Sequence, residues 1–342
     1  MRALNESHAA LDAAIEAKAS DVHVSQGGKP WMRIGNDLIE KDYETDTLLG
    51  ALKKISKGVA DFAIVYKSRR WRVGLGTADG AEDAVLRLIS NDLVPFTSLN
   101  LPEPFIKKVM QMEGLVLVTA PTGSGKSTTL NSVIDYINSH LTKKIITLED
   151  PIEYLHTSKQ SLIRQRELYT DFKTFDLAIA QSLRQDPDII VVGEIRDLPT
   201  ITAALTAAET GHLVFGTLHT RNASSALTRI LDMAPERESA QLRAQLAQSL
   251  AAVLAQRLIP KVSGGRVPAF ELLLQSPAVS SLISNNSLGR IQGEITSSGK
   301  NLGMVSMDQY IARLQKRGTI SMEEALRACE DPAKLKEILP YA

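Results

Sequence analysis

The residues Ala120-Pro121-Thr122-Gly123-Ser124-Gly125-Lys126-Ser127-Thr128 follow the apolar run Leu115-Val116-Leu117-Val118-Thr119 and lead into a good helix former. Strand, glycine-bearing turn and helix in that order make a cradle whose backbone N–H groups curl around phosphate oxygens at a helix N-terminus. Glycine belongs at the tightest points, because only it tolerates the dihedrals and the close approach. In such a cradle Pro121, Thr122, Gly123, Ser124, Gly125 and Thr128 hold the phosphate chain, Lys126 reaches the β/γ-phosphates and Ser127 ligates Mg²⁺. Ala120 stands where the pattern has its first glycine, at the end of the strand where a methyl group is tolerated.

Three more segments carry reactive side chains at the ends of apolar runs. Ile145-Ile146-Thr147-Leu148 ends in Glu149-Asp150-Pro151-Ile152-Glu153, and Asp188-Ile189-Ile190-Val191-Val192 ends in Gly193-Glu194-Ile195-Arg196-Asp197. The run Thr210-Gly211-His212 through Leu218-His219-Thr220 sets a histidine at each end of a strand. Taken singly, the carboxylates also read as helix caps and the histidines as loop hydrogen-bonders. Beside a phosphate loop they read together as a nucleotide site, since ligands bind where the parallel strands of an open sheet end.

Glu194 is the candidate for orienting and deprotonating an attacking water, and Glu149 and Glu153 are the alternatives for that role. Gly193 occupies the position of the usual metal-holding aspartate, so Glu194 or the 149–153 cluster assists Mg²⁺ through water. His219 is placed to hydrogen-bond the γ-phosphate region, and His212 is grouped with the nucleotide-binding residues. Arg196 has a second reading as a salt-bridge donor to the fold.

Elements that could position these groups follow from periodicity. Residues 4–18 read as an amphipathic helix, 21–24 and 31–34 as strands, 47–55 as a helix, and 61–66, 71–75 and 84–89 as strands. That is a small α+β domain over 1–94. Pro95 to Pro104, with its prolines at 95, 102 and 104, reads as a linker. From 105 to 342 strands alternate with helices: strands 115–119, 144–148, 188–192 and 212–217, helices 126–138, 174–184, 199–209 and 223–232. The rhythm predicts an α/β domain with a mostly parallel sheet covered on both faces. From about Glu236 the pattern predicts helices, broken by the Ser263-Gly264-Gly265-Arg266 turn and a polar stretch over 284–301.

The composition narrows the function classes. Lys plus Arg and Asp plus Glu number 39 each, so no excess positive field argues for direct nucleic-acid binding. One cysteine, Cys329, excludes an intramolecular disulfide and a multi-cysteine zinc site. The start of the chain lacks the apolar core of a signal peptide, and no apolar run reaches the ~18 residues of a membrane span. A cytoplasmic protein with membrane contact only through partners is expected.

With these segments in view the chain resembles the secretion ATPase superfamily of type II and type IV machines, most closely the pilus-retraction ATPases of the PilT type. The matching segments are Ala19-Ser20-Asp21-Val22-His23, the phosphate loop, the acidic box Glu149 to Tyr154, the run Asp186 to Asp197 and the histidine box 210–220. The resemblance implies a homo-hexameric ring, a PAS-like N-terminal domain, a RecA-like P-loop domain with helical C-terminal part, and hydrolysis of ATP with Mg²⁺. It implies that an inner-membrane platform protein is the partner. It also gives Arg72 and Arg87 a role in strands facing the nucleotide across a domain cleft or subunit boundary, where a guanidinium stabilises the transferring phosphoryl group. His23 is expected to stabilise the N-terminal domain.

Two departures shape the expected function. A chain with only Cys329 cannot build the four-cysteine zinc site of the assembly ATPases, which disfavours pilus extension and type II secretion. The late helix Ala278-Val279-Ser280-Ser281-Leu282-Ile283-Ser284-Asn285 keeps the apolar positions of the retraction motif and loses its charges. Pilus retraction is the expected function, an ATPase for a type IV secretion or conjugation apparatus is the alternative, and a nucleic-acid motor or a nucleotide-gated scaffold stand behind it.

Overall fold

The computed structural model describes residues 2–4, 6–89, 93–297 and 299–341. Residues 1, 5 and 90–92 of the expected 1–94 domain, and 298 and 342 of the expected 105–342 domain, lie outside the described residues. The chain forms two compact units, one from the described residues of 1–92 with 149–155 and 167–172, the other from the remainder.

The first unit contains β1 (Arg2–Ala3), α1 (Ala9–Glu16), β2 (Asp21–Ser25), β3 (Trp31–Ile34), β4 (Asp37–Glu40), α2 (Asp46–Ser56), β5 (Asp61–Tyr66), β6 (Arg69–Ala78) and β7 (Ala81–Ile89). The strands run in the order β1-β5-β6-β7-β2-β3-β4. Leu11 of α1 and Leu48 and Leu52 of α2 join Val22, Met32, Trp71 and Leu86 in one buried core. The helix expected from residue 4 begins later, because Arg2 and Ala3 pair with Ile64 and Val65, and the Leu4 N–H donates to Val65 O. Two-residue turns with positive φ at both positions, Lys67-Ser68 and Asp79-Gly80, join β5 to β6 and β6 to β7. Such turns match the twist of paired strands, so both hairpins are longer than the periodicity predicts.

The second unit holds α3 (Glu103–Val109), β8 (Gly114–Thr119), α4 (Lys126–His140), β9 (Lys144–Glu149), β10 (Leu162–Glu167), α5 (Phe175–Ser182) and β11 (Ile189–Val192). It continues with α6 (Leu198–Glu209), β12 (Leu213–Leu218), α7 (Ala223–Leu231), α8 (Glu236–Ser249), β13 (Leu250–Pro260) and β14 (Arg266–Leu274). Short helices α9 (Pro277–Ser284), α10 (Ile291–Ser297), α11 (Gly299–Leu302), α12 (Met307–Lys316), α13 (Met322–Ala328) and α14 (Pro332–Ile338) follow. Sheet order is β10-β9-β11-β12-β8-β13-β14. Parallel pairing links β9, β11, β12, β8 and β13 in that sequence, and their apolar residues are buried on both faces as a covered parallel sheet requires.

The strongest departure from the periodicity lies after α8. Leu250-Ala251-Ala252-Val253-Leu254-Ala255 has the composition of a helix, yet it forms β13 between β8 and the antiparallel β14. Each of these six residues is buried, and a slot between two strands selects small and apolar side chains regardless of their helix propensity. The Ser263–Arg266 turn falls at the hairpin joining β13 to β14.

Among the described residues no helix is long and apolar enough to cross a membrane.

Candidate active site

The phosphate-type loop occupies residues 120–125, between the end of β8 and the start of α4. Gly123 and Gly125 have φ of 78° and 79°, in the left-handed region, and the Ser124 N–H donates to Pro121 O at 3.2 Å to close a turn inside the loop. α4 has Gly125 as its N-cap and no capping side chain, whereas Asp197 caps α6 and Asn222 caps α7. A helix start with no capping side chain suits an anion. A Cβ on Gly125 would lie 3.0 Å from Gln256 Nε2 and 3.3 Å from Leu258 Cδ1, so positive φ and close packing both demand glycine.

The loop is fastened on two sides. Thr119 Oγ1 accepts from the Thr220 N–H at 3.0 Å and donates to Thr220 O at 2.7 Å, tying the ends of β8 and β12 together. On the β13 side, Gln256 Nε2 donates to Ser124 O at 2.6 Å while Thr129 Oγ1 donates to Gln256 Oε1 at 2.7 Å. Gln256 belongs to no local motif, and sequence reasoning missed it.

Glu194 follows β11. Its neighbours are anchored by the Gly193 N–H to Leu148 O at 2.7 Å and the Ile195 N–H to Thr217 O at 3.0 Å. Gly216 lets this segment lie close, since a Cβ there would stand 2.4 Å from Ile195 Cδ1. Arg196 Nη2 donates to Glu194 Oε2 at 2.7 Å, and His219 Nε2 stands 3.5 Å from the same oxygen. Lys126 Nζ donates to Leu218 O at 3.1 Å and lies 3.3 Å from His219 Nε2. Partial burial pushes the Glu194 carboxyl up, but Arg196, with His219 and Lys126 beside it, outweighs burial and holds the group below the usual glutamate range. Lys126, Glu194, His219 and Arg196 thus converge where β8, β11 and β12 end, with Ser127 beside Lys126 at the head of α4. Asp197, in the same run, is a helix cap: its Oδ1 accepts from the Thr200 N–H at 2.9 Å.

His212 is not brought to this cluster. It precedes β12, and Leu213 pairs with Gly114 at the start of β8, whereas the loop follows Thr119 at the other end. Six residues of strand separate His212 from His219, roughly 20 Å at ~3.3 Å per residue. His212 Nδ1 lies 3.0 Å from Ala207 O and 3.1 Å from Thr210 Oγ1, closing the turn between α6 and β12.

Arg72 and Arg87 sit opposite each other on β6 and β7 of the first unit. Arg72 forms an ion pair with Asp61, and its basicity is raised first by that pair and further by Glu153 and Asp150. Arg87 Nε donates to Asp21 at 2.7 Å and is 69% exposed. Glu149 and Glu153 belong to the same unit, and the charge of Glu149 acts on Arg70. Arg70 is buried against Glu167, whose Oε2 also accepts from the Ile152 N–H at 3.3 Å. This buried pair was invisible in sequence, its members being 97 residues apart.

A cavity of 710 Å³ opens beside the loop, lined by Pro121, Ser124, Arg221, Arg257 and Cys329. No group of three or more His, Cys, Asp or Glu side chains is placed to hold a metal among the described residues. The Ser127 hydroxyl at the head of α4 and the Glu194 carboxylate after β11 are oxygen donors of the kind Mg²⁺ takes beside substrate phosphates and water.

The family model described as "Type II/IV secretion system protein" matches residues 63–324. The chain belongs to the type II/IV secretion system protein family. Among relatives of this family, the type IV pilus retraction ATPase PilT of Pseudomonas aeruginosa is 39% identical over 330 residues, covering 92% of this chain and 95% of that protein. A twitching motility protein of Neisseria gonorrhoeae is 45% identical over 263 residues, 77% of this chain and 70% of that one. The crystal structure of the pilus retraction motor PilT with bound ADP has a TM-score of 0.85 at 38% identity, covering 97% of this chain and 100% of that one. The secretion-family ATPase fold expected from the motifs, an N-terminal domain followed by a RecA-like domain, is thereby shown.

Proposed function

We propose that this secretion-family chain is a hexameric motor that hydrolyses ATP to drive type IV pilus retraction. The observation that carries the reading is the convergence of Lys126, Glu194 and His219 at the mouth of an uncapped, glycine-built loop. Likeness over nearly the whole chain to a pilus retraction ATPase supports the cargo.

In this reading the loop N–H groups and Lys126 bind the phosphate chain, and Glu194 orients water and accepts its proton as the water oxygen bonds to the γ-phosphorus and the bond from that phosphorus to the β,γ-bridging oxygen breaks, leaving ADP and phosphate. Arg196 keeps the Glu194 carboxylate ionised and aimed, and His219 links it to Lys126. Mg²⁺, held by Ser127 and assisted by Glu194, would neutralise charge on the phosphates. Glu149 and Glu153 are the alternatives to Glu194 for the base. Arg72 or Arg87, presented by a neighbouring subunit, supplies the guanidinium that stabilises the transferring phosphoryl group. Residues 1–94 and 105–342 act as the two domains, joined by the linker 95–104. The ring works in the cytoplasm, peripheral to the inner membrane, against a platform protein, without direct nucleic acid.

The cargo is tested by deleting the gene and scoring twitching, surface pilus number and plasmid transfer. Loss of twitching with accumulated pili is expected. Normal pilus dynamics with loss of transfer would assign the motor to a secretion or conjugation apparatus.

A further inference from the structure

Gln256 stands on β13 next to Ala255, which pairs with Thr119 at the point where the chain leaves β8 for the phosphate loop. Its side chain is 1% exposed, as is that of Thr129. We propose that Gln256 is a positioning residue of the nucleotide site, holding the Ser124–Gly125 peptide so that the Gly125 N–H faces the bound phosphates. The proposal rests on the nucleotide-binding reading of the loop.

The orientation of the amide is forced. Ser124 O can only accept, so the group 2.6 Å from it must be Nε2, and Oε1 must then receive the Thr129 hydroxyl at 2.7 Å. Both ends of a buried amide are satisfied by the two segments that frame the loop's last turn. The peptide unit is planar and trans, so fixing the direction of Ser124 O toward β13 fixes the Gly125 N–H in the opposite direction, away from β13. Thr129 is tied in as well, because its own N–H donates to Gly125 O at 3.0 Å.

The space a Cβ would need at Gly125 is closed by Gln256 Nε2 at 3.0 Å and by Leu258 at 3.3 Å and 3.6 Å, so the amide packs directly against the last glycine of the loop. If the amide is lost, the Ser124 carbonyl loses its donor on the β13 side, and rotating that peptide to find another turns the Gly125 N–H away from the phosphate side.

The test is equilibrium binding of fluorescently labelled ADP to the full chain between about pH 8 and pH 5.5, each variant taken as a ratio to the wild-type protein at the same pH. Gln256→Leu should weaken binding about tenfold at every pH, the scale of a lost hydrogen bond that also frees the peptide it held. Gln256→Glu should be as weak at high pH, where a carboxylate opposes the Ser124 carbonyl. It should recover toward the wild-type value as pH falls, because the protonated acid regains an O–H that donates to Ser124 O. Wild-type affinity for Gln256→Leu, or a Gln256→Glu deficit that does not change with pH, would overturn the proposal. Should the Gln256 variants unfold, Thr129→Val removes the partner of Oε1 from the other side, and unchanged ADP affinity in it would overturn the proposal equally. Failure of the wild-type protein to bind ADP would instead remove the nucleotide reading itself.

Discussion

Arg196 donates from Nη2 to Glu194 Oε2 at 2.7 Å, two positions along the same segment from the carboxylate it holds. Partial burial works against ionisation of Glu194, and this contact, with Lys126 and His219 nearby, more than reverses it. If hydrolysis needs the ionised carboxylate, a carboxyl held below its usual range keeps the acid limb of the pH–rate profile low. Removing the guanidinium in Arg196→Ala should move that limb upward, toward neutral pH, and lower kcat more than it raises KM. A steady-state profile that does not move would separate Arg196 from the charge state of Glu194.

Lys126 reaches toward Leu218 O and His219 from the first turn of α4. Lys126→Ala removes this cation from the surface of the loop, so the fold should persist while ATP binding weakens about tenfold or more and hydrolysis is lost. Isothermal titration with ATP and Mg²⁺ checks this, and an unchanged affinity would mean that the loop does not carry the nucleotide.

His156 gives a stability prediction. Burial above all lowers its pKa from 6.5 to about 4, with Asp135 opposing and Lys159 adding, and its Nε2 lies 3.0 Å from Asn131 Oδ1. The folded state keeps the imidazole neutral while the unfolded chain takes a proton below pH 6.5. The penalty is therefore absent above pH 6.5, grows as pH falls, and is complete below about pH 4. At ~1.4 kcal/mol per unit it amounts to about 3 kcal/mol. Urea unfolding should show wild-type stability falling more steeply than that of His156→Gln across this window, and parallel slopes would contradict the assignment.

The proposed role of Arg87 predicts complementation between two inactive proteins. A Lys126→Ala subunit presents an intact arginine, and an Arg87→Ala subunit presents an intact loop. Mixed under conditions where labelled subunits demonstrably exchange, they should regain part of the ATPase activity. No recovery at any ratio would exclude Arg87 from action between subunits, and Arg72 would be tested next.

What the sequence disclosed follows from the range of the interactions. The loop, β8 and α4 are one contiguous stretch, and Glu194 follows a fully apolar strand, so pattern alone located them. Gln256 contacts Thr129 from 127 residues away, a distance no local pattern reports. Leu250–Ala255 carries helix-forming residues whose strand conformation is imposed by β8 and β14 on either side. The sequence places His212 and His219 at opposite ends of one strand, but which end meets the loop depends on how β12 pairs with β8, and only the end after Leu218 does. The distribution of the acidic box is likewise a tertiary fact: Glu153 acts on Arg72, a residue far removed in sequence.

If Glu194 performs the chemistry at a loop that binds ATP, Glu194→Gln separates binding from turnover. The substitution keeps size and hydrogen bonding but removes the base and its charge. Bound ATP, measured by filter retention beside single-turnover hydrolysis, should persist at near wild-type affinity while turnover falls about a hundredfold or more, the usual scale of a lost general base. Turnover above roughly a tenth of the wild-type rate, with ATP still bound, would contradict the account and move the base to Glu149 or Glu153.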